Sequence, residues 1–209
     1  IAEGRLAARF AFPYGSPSMQ AADWKQTEKH KTEIVKDTVD RVELRRQLDA
    51  DQYYAAIGWN GRAEFTAEKP HHFVLASAKR NSRLEFTVTF SPSPLTAALP
   101  AAAATFSASA AHWNRFWTEG GAIELAGSGD RRAAELERRV VLSQYLTAIQ
   151  CAGSMPPQET GLTVNSWYGK FHLEMHWWHA AQFALWNRTP LLEKSLGWYD
   201  KILPAARDL

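Results

Sequence analysis

Between Pro156 and His179 the chain reads Pro-Pro-Gln-Glu-Thr-Gly-Leu-Thr-Val-Asn-Ser-Trp-Tyr-Gly-Lys-Phe-His-Leu-Glu-Met-His-Trp-Trp-His, with aromatic rings set among amide, ammonium, imidazole and carboxylate groups. Such a mixture suits recognition of sugars, whose apolar CH faces stack on flat rings and whose hydroxyl rims need paired donors and acceptors. Trp167, Trp177 and Trp178 offer rings, while Asn165, Lys170, His172 and Glu174 offer polar contacts, with Glu159 as a second nearby carboxylate. The competing expectation is that the tryptophans pack between helices and the polar residues form a solvated first turn. At about 100° per residue, His172, His176 and His179 share one helix face, and three imidazoles there could hold zinc. The order is His-x-Glu-x-His rather than the His-Glu-x-x-His of zinc proteases, and Glu174 projects from the other side, so metal binding is the minor alternative.

Other chemistry has less support. Ser143, Ser154 and Ser166 lack a Gly-x-Ser-x-Gly elbow, and no glycine-rich loop could cradle a phosphate, so no cofactor is expected. The lone Cys151 lies in an apolar helical stretch and reads as packing.

The elements that must carry these residues follow from hydrophobic spacing. Arg41–Arg45 and Leu84–Phe90 alternate apolar and polar residues, as half-buried strands do. Tyr53–Trp59 leads into Asn60-Gly61 and then Arg62–Phe65, predicting a hairpin with a two-residue turn; Phe73–Ala76 adds a short strand. Turns are expected at Lys79–Ser82 and Ser91–Pro94. These elements predict an antiparallel β-sandwich over residues 1–98.

The pattern then turns helical. Ala101–Glu119 carries Phe106, Ala110, Trp113 and Trp117 at three- and four-residue spacings and stops at Gly120-Gly121. Ile123–Leu125 suggests a short strand, and residues 99–128 form a helical linker and connector. Asp130 is placed to cap a helix over Arg131–Ala152, and a further helix is expected over Lys170–Trp186. Thr189 is read as the cap of the last helix, with Pro190 in its first turn. The fold class is therefore mixed, β first and α afterwards.

Composition excludes several partners. The 209 residues carry 24 basic and 22 acidic side chains, a net charge of +2 without a long basic block, so nucleic acid is not expected. No apolar run reaches the roughly 20 residues of a membrane span. Seven of the nine tryptophans fall between Trp113 and Trp198. Starting at Ile1 and stopping at Leu209 in a helix-like stretch, the chain reads as a piece of a longer protein.

Ser143-Gln-Tyr145, Gly153, Pro156-Pro157, Gly161-Leu162, Asn165-Ser-Trp167, Lys170-Phe-His-Leu-Glu-Met175 and Trp178 together resemble the first barrel hairpin of the (α/α)6-barrel, or six-hairpin, glycosidases. The similarity is greatest to glycoside hydrolase families 65 and 95. It implies an N-terminal β-sandwich that is part of a supersandwich, a linker helix, and the first helices of an (α/α)6 barrel over residues 129–209. It also implies an inverting glycoside hydrolase acting on oligosaccharides or polysaccharide side chains, with a glycoside phosphorylase or a non-catalytic glycan-binding relative as alternatives. Asn165, Trp167, Lys170, His172, Glu174 and Trp178 would line one wall of the sugar pocket. The general acid and base would lie on later barrel helices, beyond Leu209, and the partners would be a glycan and the rest of the barrel. A periplasmic or secreted location is implied by this resemblance alone. Where the fucosidases carry active-site asparagines this chain has Lys170 and His172, and where the phosphorylases carry Trp-Asp it has Leu173-Glu174.

Overall fold

The computed structural model describes residues 7–19, 21–78, 83–164 and 167–208. The chain forms two compact units, residues 1–16 with 22–109, and residues 17–21 with 110–209. Antiparallel sheets come first and four helices follow.

In the first unit, strands β1 (Ala7–Ala11), β8 (His72–Ser77) and β7 (Ala63–Lys69) form a three-stranded sheet in that order. Strands β4 (His30–Asp37), β5 (Arg41–Leu48), β6 (Asp51–Asn60) and β9 (Glu85–Ser91) form a four-stranded one. The short β2 (Tyr14–Gly15) and β3 (Ala22–Asp23) pair with each other. Alternation decides which side chains go inward. Val42, Leu44, Ala55, Ile57 and Trp59 of the larger sheet meet Phe73 and Leu75 of the smaller one in a single core, joined by Phe12.

The Asn60-Gly61 turn does not close a hairpin. Both edges of β6 are already taken, by β5 and β9, and β7 pairs with β8 instead. Gly61, at a φ of 80°, therefore carries the chain from one sheet to the other. The two-residue hairpin turns fall elsewhere, at Asp49-Ala50 between β5 and β6 and at Pro70-His71 between β7 and β8. Asp49 and His71 have φ of 49° and 62°. The turn expected at Lys79–Ser82 lies outside the described residues, and Ile123–Leu125 is irregular rather than a strand.

Helix α1 (Ala102–Glu119) follows, and the division between units falls inside it, after Ser109. Helix α2 (Ala133–Cys151) starts after Arg132, whose backbone N–H donates to Asp130 Oδ1 at 2.8 Å; Asp130 thus closes a turn ahead of the helix and does not cap it. Helices α3 (Leu173–Leu185) and α4 (Thr189–Arg207) are joined by a tight connection. Thr189 already lies inside α4, with Arg188 at the N-cap, so Thr189 makes no side-chain cap.

Arg188 is the organising residue of this unit. It is buried, donates to Gln144 Oε1 at 2.8 Å and to the Phe116 carbonyl at 2.9 Å, and stacks 3.9 Å above the Phe116 ring. It so ties the α3–α4 turn to α1 and α2. Among the described residues no helix is long and apolar enough to cross a membrane.

Candidate functional site

The segment between α2 and α3 is shaped by one glutamine. Gln150, in the last turn of α2, accepts the backbone N–H groups of Leu162 at 2.6 Å and Thr163 at 3.0 Å through Oε1, and donates to Thr163 Oγ1 at 2.7 Å. The returning loop thereby lies against the helix at Gly161, whose φ is 77° and where a Cβ would come within 2.8 Å of Gln150 Oε1. Farther on, Trp167, Tyr168 and Gly169 all have positive φ, at 51°, 67° and 63°. Two non-glycine residues in succession in the left-handed region store roughly 1–2 kcal/mol each, and strain of this kind collects at functional sites. Tyr168 is fixed there by its N–H, which donates to the Met19 carbonyl at 3.1 Å.

Helix α3 begins three residues later than the sequence spacing suggests, because Phe171 is needed elsewhere. Its ring packs edge-on against Trp198 at 4.9 Å and His176 at 6.1 Å, pinning the chain just ahead of the extended N-cap residue His172. The Phe171–His176 contact joins the residue before the cap to the fourth helical residue, the positions a hydrophobic staple uses, here through two rings. Lys170 is consequently an exposed loop residue, its Nζ 5.5 Å above the Tyr168 ring.

Four site residues gather around this entry. The half-exposed Trp167 ring lies 6.2 Å from His172. Nε2 of His172 approaches Glu159 Oε2 to 3.5 Å yet makes no hydrogen bond. The backbone joins the same groups, Glu159 N–H donating to the Lys170 carbonyl at 3.2 Å. Behind them, a cleft of about 240 Å³ is lined by Gln150, Cys151, Glu159, Gly161, Trp178 and His179. His179 has a buried Nδ1 without a hydrogen-bond partner. Burial pushes the Cys151 thiol up to about 11, which keeps it protonated and inert near neutral pH.

Other sequence expectations fare differently. Glu174 is exposed in the first turn of α3 and makes no hydrogen bond or ion pair among the described residues. Asn165 lies outside the described residues. Trp177 and Trp178 do not pack in a core within this chain, being 69% and 65% exposed. The three-histidine metal alternative is not realised. His176 is turned inward, Nδ1 2.6 Å from Tyr199 Oη and Nε2 2.8 Å from Ser195 Oγ, so neither nitrogen is free to ligate. Among the described residues no group of three His, Cys, Asp or Glu could hold a metal ion. Sequence spacing missed Gln150, whose contribution is contact with a loop a dozen residues away, and His179 as a cleft residue; its face was legible but its neighbours were not.

Comparison with family models, curated proteins and solved structures returns no match for the chain.

Proposed function

We propose that this chain is part of a six-hairpin glycosidase, an inverting glycoside hydrolase of oligosaccharides or polysaccharide side chains in the periplasm or outside the cell. Its sheets would be part of a supersandwich, and α2–α4 the start of the (α/α)6 barrel. The observation that carries the reading is the polar vacancy at the entry to α3. His172 Nε2 and His179 Nδ1 are buried without hydrogen-bond partners beside Glu159, next to the exposed Trp167 and Trp178 rings. Buried polar nitrogens without partners are unfavourable by about 1–3 kcal/mol each, a deficit that ligand hydroxyls would remove. The cleft is smaller than the roughly 300–1,000 Å³ of a complete small-molecule pocket, in keeping with a single wall.

On this reading Trp167 stacks on a sugar ring, and Glu159 accepts from hydroxyls to which His172 and Lys170 donate. Glu174 serves the same wall from its exposed position in the first turn of α3, and the resemblance assigns Asn165 to it as well. The general acid and base, roughly 6.5–9.5 Å apart in an inverting enzyme, come from helices after Leu209. In the complete protein, Glu159→Gln, Glu174→Gln and Trp167→Ala should each reduce turnover of the sugar tenfold or more; unchanged turnover in all three overturns the reading. Turnover that requires inorganic phosphate would make the enzyme a phosphorylase.

A further inference from the structure

A different cluster lies in the sheet unit, far in sequence from the helices. Arg46 of β5 is fully buried. Its guanidinium donates to the Pro13 carbonyl at 3.1 Å, to the Lys31 carbonyl at 3.3 Å and to Thr32 Oγ1, and lies 5.2 Å over the Phe12 ring. Among the described residues no carboxylate pairs with it. Beside it stands His71, from the β7–β8 turn. Nε2 of His71 lies 2.9 Å from the Thr27 carbonyl and Nδ1 lies 2.7 Å from Thr32 Oγ1, so both ring nitrogens are engaged. His30 of β4 stacks on that ring, centroids 3.7 Å apart and planes 22° apart, and its Nδ1 is buried without a partner.

The cluster bridges the two sheets. Arg46, Thr32 and His30 belong to the four-stranded sheet; His71 belongs to the three-stranded one, and its carbonyl accepts the Phe12 N–H at 3.1 Å just after β1. We propose that the Arg46–His30–His71 cluster is an acid-released clasp between the two sheets.

The physics is a buried positive charge with no counter-charge, against which a second positive charge must not form. Desolvation first, then His71 and Arg46, lower His30 to about 4. The other ionisable groups around it do not compensate. Tyr14, its ring 5.9 Å from that of His30, donates its hydroxyl to the exposed Asp49; the Lys29 ammonium lies 5.7 Å over the Tyr14 ring, Lys31 pairs with Glu33, and Glu28 is exposed. His72, next to His71, turns to the Pro70 carbonyl and Trp24. Because the closed clasp holds His30 neutral and the open one returns it to its ordinary value of 6.5, closure is favoured in full above pH 6.5 and weakens as pH falls towards 4. Between pH 7 and pH 5 the open fraction should rise about 20-fold.

Amide hydrogen exchange on the full chain at pH 7 and pH 5, corrected for intrinsic rates, tests this. The expected result is a loss of protection of about 20-fold at Phe12 and across Phe73–Leu75, with Val42–Leu44 unchanged, and no acid-dependent loss in His30→Phe. Uniform loss across both sheets, no loss, or the same loss in His30→Phe overturns the proposal. Direct NMR titration of His30 in the unmodified chain decides the matter if that variant does not fold: a value near 4 supports the clasp and one near 6.5 overturns it.

Discussion

The two units solve burial in opposite ways. In the sheet unit the largest apolar side chains of β5, β6 and β8 are inside: Val42, Leu44, Ile57 and Leu75 are wholly inaccessible. In the helical unit the inside is small and partly polar, built from Phe116, Phe183, Ala180 and Cys151 with His176, Ser195, Gln144 and Arg188, while Trp177, Trp178 and Leu185 stay exposed. Exposed large apolar groups in a row mark a surface that awaits something. The lesson is that the sheets are shaped by their own core, whereas α3 packs a small, partly polar interior on one side and leaves large apolar rings exposed on the other.

The sharpest way to break this contrast is to truncate one residue from each side. Leu44→Ala should destabilise the sheet unit by about 3 kcal/mol, the lost transfer energy plus a cavity. Trp177→Ala, though it removes more atoms, should change stability by less than about 0.5 kcal/mol, since its ring is mostly in water. Urea titrations of the two variants measure both numbers, and a large effect at Trp177 would mean that the exposed face is packed in solution.

A second test concerns the polar interior. A Cβ on Gly120 would come 2.5 Å from Arg188 Cζ, and that guanidinium cannot retreat because Gln144, the Phe116 carbonyl and the Phe116 ring hold it. Gly120→Ala should therefore destabilise the helical unit by about 1–3 kcal/mol. The same substitution in an Arg188→Ala background should be nearly neutral, so a double-mutant cycle in urea reads the coupling directly.

The third test uses acid on the helical side. His176 is neutral because Nε2 donates to Ser195 Oγ, itself donating to the Leu192 carbonyl at 2.9 Å, and Nδ1 accepts from Tyr199. Burial, with His179 nearby, lowers its pKa below the usual 6.5. A lowered histidine contributes stability that is complete above pH 6.5 and is lost as pH falls through the folded-state value. Hydrogen exchange at Ala180–Phe183 should accelerate below pH 6 in the unmodified chain and much less so in His176→Gln.

How much of this was legible in the sequence depends on whether the deciding contact was local. The strand around Leu44 showed in its alternation, those around Ile57 and Val74 as short strands beside a turn signal, and α1 to α4 in their helical spacing. β4 did not, because an edge strand with most of its residues in water has little apolar period to read. Asn60-Gly61 looked like a hairpin because turn chemistry reports a reversal, not which sheet the next strand joins. At the site, the ring-and-carboxylate chemistry of Glu159, Trp167, Lys170 and His172 was visible as residue types. The orphaned imidazole nitrogens, the left-handed turn at Trp167-Tyr168 and the fixing of the loop by Gln150 were not, since each depends on a partner or a backbone angle set by tertiary packing. The resemblance to six-hairpin glycosidases, with its barrel and its sugar, stays a proposal that the exposed face of α3 supports.

The smallest effect discriminates best between a functional face and a merely bare one. Trp178 borders the cleft with Glu159 and His179, yet is 65% exposed and contributes little to the fold. If the cleft takes a sugar, Trp178→Ala should weaken oligosaccharide binding by about 1 kcal/mol, roughly fivefold in Kd, the scale of one aromatic stacking contact. Trp177, one residue away on the same exposed surface but outside the cleft lining, should leave affinity unchanged when replaced by alanine. Calorimetric titration of both variants of the complete protein with its oligosaccharide separates the two tryptophans. Equal losses would mean that the surface binds by general apolarity and that the cleft has no special part in it; a loss at Trp178 alone ties recognition to the entry of α3.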